Sequence, residues 1–277
     1  MRLPNPIRLL PLFSLIPSAA CAACGTNFCP RPQDGPDQVW QARWSVERSG
    51  YDLSGAAGAY SIAMLDLGFR REDRWIAAVH IPYVSLDAPG GERHGLGNPM
   101  ALAEYRWHPA PDRALGAGVQ VEFAWGDHDQ GLAQPHYMAV PYLSASARKG
   151  NHVFGGNLGV SLAFGGSHEG DGGAGSAHHH AAAPASPVHP HEDWEAVYRF
   201  SAGRDIPAWR LRPAAFVNGQ RVLSGERESG TADDYLSAGI EAPISLGRVE
   251  IAPQGEFPIT AEHRFEWSFS LACGVRF

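Results

Sequence analysis

The residues best suited to hold a metal ion are gathered in one stretch. Between Gly165 and Asp193 stand His168, His178, His179, His180, His189 and His191, with Glu169, Asp171, Glu192 and Asp193 among them. Neutral imidazoles bind Zn, Cu or Ni ions, and a flexible segment can fold several of them around one ion. The intervening residues are mostly Gly, Ala, Ser and Pro, a composition that cannot build a packed core. The spacing is not that of a structural zinc site. A solvated low-complexity insertion that meets metal only incidentally therefore stands beside metal capture as a reading. His94, His128, His136 and His263 fall in other predicted connections on the same side. No cofactor is required elsewhere in the chain.

A second chemistry is carried by charged residues set against apolar neighbours at every other position. Arg43, Asp66, His80, Glu104, Arg106, Glu122, Glu195, Arg199, Arg210, Arg212, Glu241, Glu256 and Glu266 all follow this pattern, as do Glu250 and Arg276. A period of two places them on one face of extended strands and the apolar residues on the other. Twelve such segments are expected: 39–47, 61–69, 75–83, 101–107, 119–125, 137–145, 154–164, 194–202, 209–217, 236–244, 249–257 and 265–277. The last is the clearest. Phe265, Trp267, Phe269, Leu271, Cys273, Val275 and Phe277 alternate with Glu266, Ser268, Ser270, Ala272, Gly274 and Arg276. The facing of the sixth segment is ambiguous.

Aromatic residues gather at strand ends, among them Trp40, Phe69, Trp75, Tyr83, Trp107, Trp125, Phe164, Trp194, Trp209 and Phe277. Amphipathic rings prefer a membrane–water interface, so two aromatic girdles are expected. Connections after even-numbered segments are short and most of those after odd-numbered ones are long, the longest being 165–193. Alternation of this kind is what an even-stranded transmembrane barrel produces. Past the N-terminus no apolar run reaches the ~18 residues of a membrane helix. A barrel strand needs only ~9–11 alternating residues. The expectation is an all-β, antiparallel, up-and-down transmembrane barrel of twelve strands, its charged face inside. Lipid cannot hydrogen-bond to backbone, so the sheet must close.

The chain has 277 residues, 44% of them hydrophobic and 18% charged, with mean hydropathy −0.23. Its net charge of −7 argues against a nucleic-acid partner. Residues 1–22 read as an export signal. Arg2 and Arg8 precede an apolar run, and Ala20-Cys21-Ala22 fits a cleavage site. Lipoprotein processing at Cys21 is the alternative. Residues 23–38 form an N-terminal segment carrying Cys24 and Cys29, which would share an oxidising compartment. A short-loop disulfide or a metal site would each use that pair. The barrel is expected over 39–277, with Cys273 facing lipid.

The terminal strand resembles the closing strand of bacterial outer-membrane barrels, whose C-terminal Phe is part of the signal read by the assembly machinery. Three further segments carry a narrower resemblance: Cys24-Gly25-Thr26-Asn27-Phe28-Cys29, Gly95-Leu96-Gly97-Asn98-Pro99 leading into Leu102-Ala103-Glu104-Tyr105-Arg106, and Gly274-Val275-Arg276-Phe277. Together they are similar to the outer-membrane family described as MetA-pathway-of-phenol-degradation or transporter proteins. Asn98 stands where that family has Asp, and Cys29-Pro30 departs from its start. The resemblance implies an uptake or export channel for small solutes, hydrophobic or not, and carries over no catalytic residue.

Three functions fit a chain of this kind to different degrees. The first is a channel or transporter for a small solute or ion, linked or not to transition-metal handling. The second is a barrel that only anchors a metal- or partner-binding surface at the His-rich segment. The third, a membrane hydrolase, is disfavoured: no outward Ser lies near a His, and no Gly-x-Ser-x-Gly elbow occurs. Expected partners are outer-membrane lipid, the solute and the barrel-assembly machinery.

Overall fold

The computed structural model describes residues 38–53, 56–88, 90–165, 194–224, 234–260 and 265–277. The expected disulfide pair, the N-terminal segments and the six His-rich-segment histidines lie outside these, as does His263. Among the described residues fourteen strands follow one another along the chain. They are β1 (Gln38–Leu53), β2 (Ala56–Arg71), β3 (Trp75–Ala88), β4 (Gly91–Leu96), β5 (Met100–Ala110), β6 (Arg113–Glu122) and β7 (Tyr137–Lys149). The second half comprises β8 (His152–Phe164), β9 (Trp194–Arg204), β10 (Ala214–Ser224), β11 (Asp234–Glu241), β12 (Ile244–Leu246), β13 (Val249–Pro258) and β14 (Trp267–Arg276).

All ladders are antiparallel, and the ring closes. β1 pairs with β2 on one edge and with β14 on the other, from Gln41 opposite Arg276 to Gly50 opposite Trp267. β13 joins β14 to β11, which continues into β10. Two short strands stand off the ring: β4 pairs only with β3, and β12 only with β13. Twelve staves remain. Closure leaves no free sheet edge for lipid to meet.

Why these segments form staves is visible in β3. Trp75, Ala77, Val79, Ile81 and Tyr83 are exposed, while Ile76, Ala78, His80, Pro82, Val84 and Leu86 are buried. The exposed set is the lipid-facing wall. Pro82 cannot donate to a ladder. It sits where β3 changes partner, from β5 up to His80 to β4 from Tyr83 onward. Its carbonyl accepts Gly97 N–H instead. The first short turn is of the hairpin type with two left-handed residues, Glu72 at φ 53° and Asp73 at φ 52°.

Several boundaries differ from the sequence expectation. Residues 48–60 do not form a long loop. β1 and β2 stay paired as far as Leu53 opposite Ala56. Beyond the lipid the outward face is wet, with Arg48 near Ser61 and Ser85 near Glu92, so apolar alternation fades while pairing continues. The expected ninth segment begins too early. Pro207 opens a 3-10 turn over Pro207–Trp209, Pro213 has no N–H to give, and the strand starts at Ala214. Trp125 also lies past the end of β6.

The girdles are present. On one rim Trp40 packs on Phe69 at 4.6 Å between ring centroids, and Trp75 on Tyr105 at 4.8 Å. Towards the other rim Phe123 stacks on Trp125 at 4.6 Å and Phe257 meets Phe269 edge-on at 5.5 Å. Cys273 is a free, exposed thiol on the lipid face. Short turns and both described ends of the sheet share the first rim, which in outer-membrane barrels faces the periplasm.

Candidate functional site: the barrel interior

Inward positions of the staves converge on one interior. Arg43, Asp66, His80, Glu104, Arg106, Glu122, Glu195, Arg199, Glu241 and Glu256 are all buried there, as the alternation required. Buried charges need partners. Glu104 on β5 accepts from Arg106 Nε at 2.5 Å, from Tyr142 Oη at 2.8 Å and from Ser144 Oγ at 3.2 Å. The glycines of β6 make room for this cluster: a Cβ on Gly118 would lie 2.6 Å from the Tyr142 ring and 2.7 Å from the Ala103 carbonyl oxygen.

A second network crosses β9, β10, β11 and β13. Arg199 donates to Asn218 Oδ1 at 3.2 Å and to Glu241 at 3.3 Å, and its guanidinium lies 3.7 Å above the Phe216 ring. Asn218 Nδ2 donates to Glu256 at 2.8 Å, and Ser237 Oγ donates to the same oxygen. On β1, beyond β14, Glu47 accepts from Ser49 at 2.9 Å and from Ser268 of β14 at 3.1 Å. His80 Nδ1 meets Asp66 at 2.7 Å.

One part of the wall is apolar at its outer end. Tyr51, Tyr60, Ile62, Met64, Val84, Leu86, Met100 and Leu132 form one buried cluster inside the outer end of β1, β2, β3 and β5. Leu132 comes from the connection between β6 and β7. Asn98 pins that connection inward. Its amide donates to Glu122 at 2.8 Å and to the Gln134 carbonyl at 2.9 Å, and it accepts Gly126 N–H at 3.0 Å. The Asp127 carboxylate accepts Leu96 N–H at 2.7 Å beside it. The interior is thus amphipathic, with charged pairs and networks on β1, β2, β3, β5, β9–β11 and β13 and an apolar cluster at the outer end of β1, β2, β3 and β5.

Three expected lumen residues stand off the staves. Arg210 is exposed on a turn, at φ 54° after the 3-10 segment, because Pro207 and Pro213 exclude it from β10. Glu266 is exposed before β14 begins, and Phe265 is the buried one, so the alternation changes phase at that end. Arg212 is buried but stands outside the staves, where it pairs with Asp205 at the periplasmic end. Glu47 lies on the polar face of the first strand, with Arg43, as the alternation required. The interior roles of Tyr142, Ser144, Asn98 and Asn218 were not anticipated. For Asn218 the signal was available as continued alternation from Arg212. For Asn98 there was none, since its partners come from three separate segments. Among the described residues no group of three or more His, Cys, Asp or Glu is arranged to hold a metal.

With the geometry in hand, the chain can be compared with known proteins. Its fold is that of outer-membrane channels. It superposes on the COG4313 outer membrane channel from Pseudomonas putida F1 with a TM-score of 0.64 at 13% identity, over 89% of this chain and 98% of that one. The NanC porin gives 0.56 at 10% identity over 86% and 98%, and the KdgM porin 0.52 at 6% identity over 86% and 99%. No protein-family model and no curated protein matches the sequence. The closed ring, its apolar outer wall and its girdles make the chain an outer-membrane β-barrel of the Gram-negative type.

Proposed function

We propose that this barrel is a narrow outer-membrane channel for a small amphipathic solute. The observation that carries the reading is the mixed interior: hydrogen-bonded Arg, Glu and Asn side chains along the staves and the apolar Tyr51–Leu132 cluster at the outer end. A solute with an apolar body and a polar group finds complementary surface for each part along this interior. The inward side chains are buried, so the path is tighter than in wide general porins. Whole-chain likeness to channel and porin folds supports passage over catalysis. It is compatible with membership of the phenol-degradation transporter family suggested by the Gly95–Pro99 and Gly274–Phe277 segments. Reconstitution into liposomes tests the reading. Folded protein should let small aromatic or short-chain solutes equilibrate, and absence of flux for every solute tried would overturn it.

The metal-linked version rests on the composition of residues 165–193 alone. Deleting 166–191 should abolish Zn, Cu or Ni binding measured by calorimetry and leave the barrel folded. Unchanged affinity after the deletion would remove metal handling from the account.

A further inference from the structure

The geometry points to a binding site for anionic phospholipid headgroups on the periplasmic rim, formed by Lys149, Arg204, Arg210 and Arg248. All four side chains are exposed. They stand on three successive turns that are fastened together. Asp205 N–H donates to the Asn151 carbonyl at 2.8 Å, joining the β7–β8 and β9–β10 turns. Ser245 N–H donates to the Arg210 carbonyl at 2.9 Å, joining the latter to the β12–β13 turn. The cations therefore form one contiguous band.

Their charge is not answered by the protein. The carboxylate carried by these turns, Asp205, is held by Arg148 at 2.9 Å and by Arg212. None of the four makes an ion pair within the described residues. The arginines at the outer end behave differently. Arg48 bonds Ser61, Arg93 bonds the Gln130 carbonyl, and Arg221 pairs with Asp234.

Height identifies the ligand. Trp209 is 70% exposed directly before Arg210, Leu246 is 51% exposed two residues before Arg248, and Phe277 is 70% exposed on the same rim. Apolar and aromatic rings at this level mark the edge of the hydrocarbon. Long cationic side chains just beyond them reach the headgroup layer, where each attracts negative phosphate. Arg210 keeps a left-handed backbone that most residues avoid, closing the turn that Trp209 ends. The ligand is thus a phosphodiester-bearing lipid with net negative charge, such as phosphatidylglycerol, in the periplasmic leaflet.

Native mass spectrometry of the delipidated full-length barrel, titrated with dioleoyl phosphatidylglycerol or dioleoyl phosphatidylethanolamine, tests this. Wild-type protein should hold the glycerol lipid at least about tenfold more tightly. K149Q/R204Q/R210Q/R248Q should lose most of that preference, while R48Q/R221Q should keep it. Heat-modifiable gel mobility reports folding. If the quadruple variant fails to fold, Lys149→Gln and Arg248→Gln singly should each weaken the preference several-fold. Equal affinity of wild type for the two lipids would overturn the site, as would a preference untouched by the substitutions. Displacement of the lipid by an equal concentration of inorganic phosphate would assign the band to free phosphate and overturn it too. So would capture of an acidic periplasmic protein without any lipid preference.

Discussion

Asn98 ties the β4–β5 link to the end of β6 and to the inward connection by three hydrogen bonds. Asn98→Asp would put a carboxylate against Glu122 and remove two donors. A loss of about 1–3 kcal/mol in unfolding free energy is expected, with faster proteolysis between Gly126 and Gln134. Glu104→Gln takes the charge from the group that Arg106, Tyr142 and Ser144 share. Its expected cost is also about 1–3 kcal/mol by denaturant titration. Adding Arg106→Gln should then cost less than in the wild-type background, because the buried pair is removed together. Charged members of these networks were legible in the sequence, since a charge flanked by Leu or Val can only face inward. Tyr60, Ile62 and Met64 were not. On β2 the outward residues at the outer end are the small Ala59, Ser61 and Ala63, so the larger apolar residues there are the inward ones and alternation alone points the wrong way.

At the scale of the element, all twelve staves were recognisable, because lipid imposes an apolar residue at every second position and that constraint writes directly into sequence. Their ends were less legible. Hydrogen-bonded pairing outlasts the lipid contact in β1, β2 and β3, so the pattern stops before the strand does. At β10 the reverse holds: Trp209 and Arg210 imitate alternation, and only Pro207 and Pro213 betray the turn. Close approach is a further element-level requirement. Gly118→Val would push Tyr142 off Glu104 and press on the Ala103 carbonyl. A destabilisation of about 1–3 kcal/mol is expected, read as an earlier midpoint in thermal gel-shift assays. Glycine at 118 therefore reflects the neighbouring staves more than its own strand.

For the whole molecule, the ring of ladders explains why chain order and spatial order nearly coincide, with β1 and β14 sealing the barrel and Phe277 N–H bonded to the Trp40 carbonyl at 2.9 Å. The apolar exterior and charged interior are two faces of the same strands, so one alternation creates both the membrane fit and the wall of the path. Passage through that interior is the central claim, and single-channel recording in planar bilayers under a salt gradient tests it most directly. Small discrete current steps are expected. Their reversal potential should move toward anion preference in Glu256→Gln and toward cation preference in Arg199→Gln, both variants retaining folded gel mobility. Current steps that never appear, or a reversal potential indifferent to both substitutions, would contradict a route through the barrel.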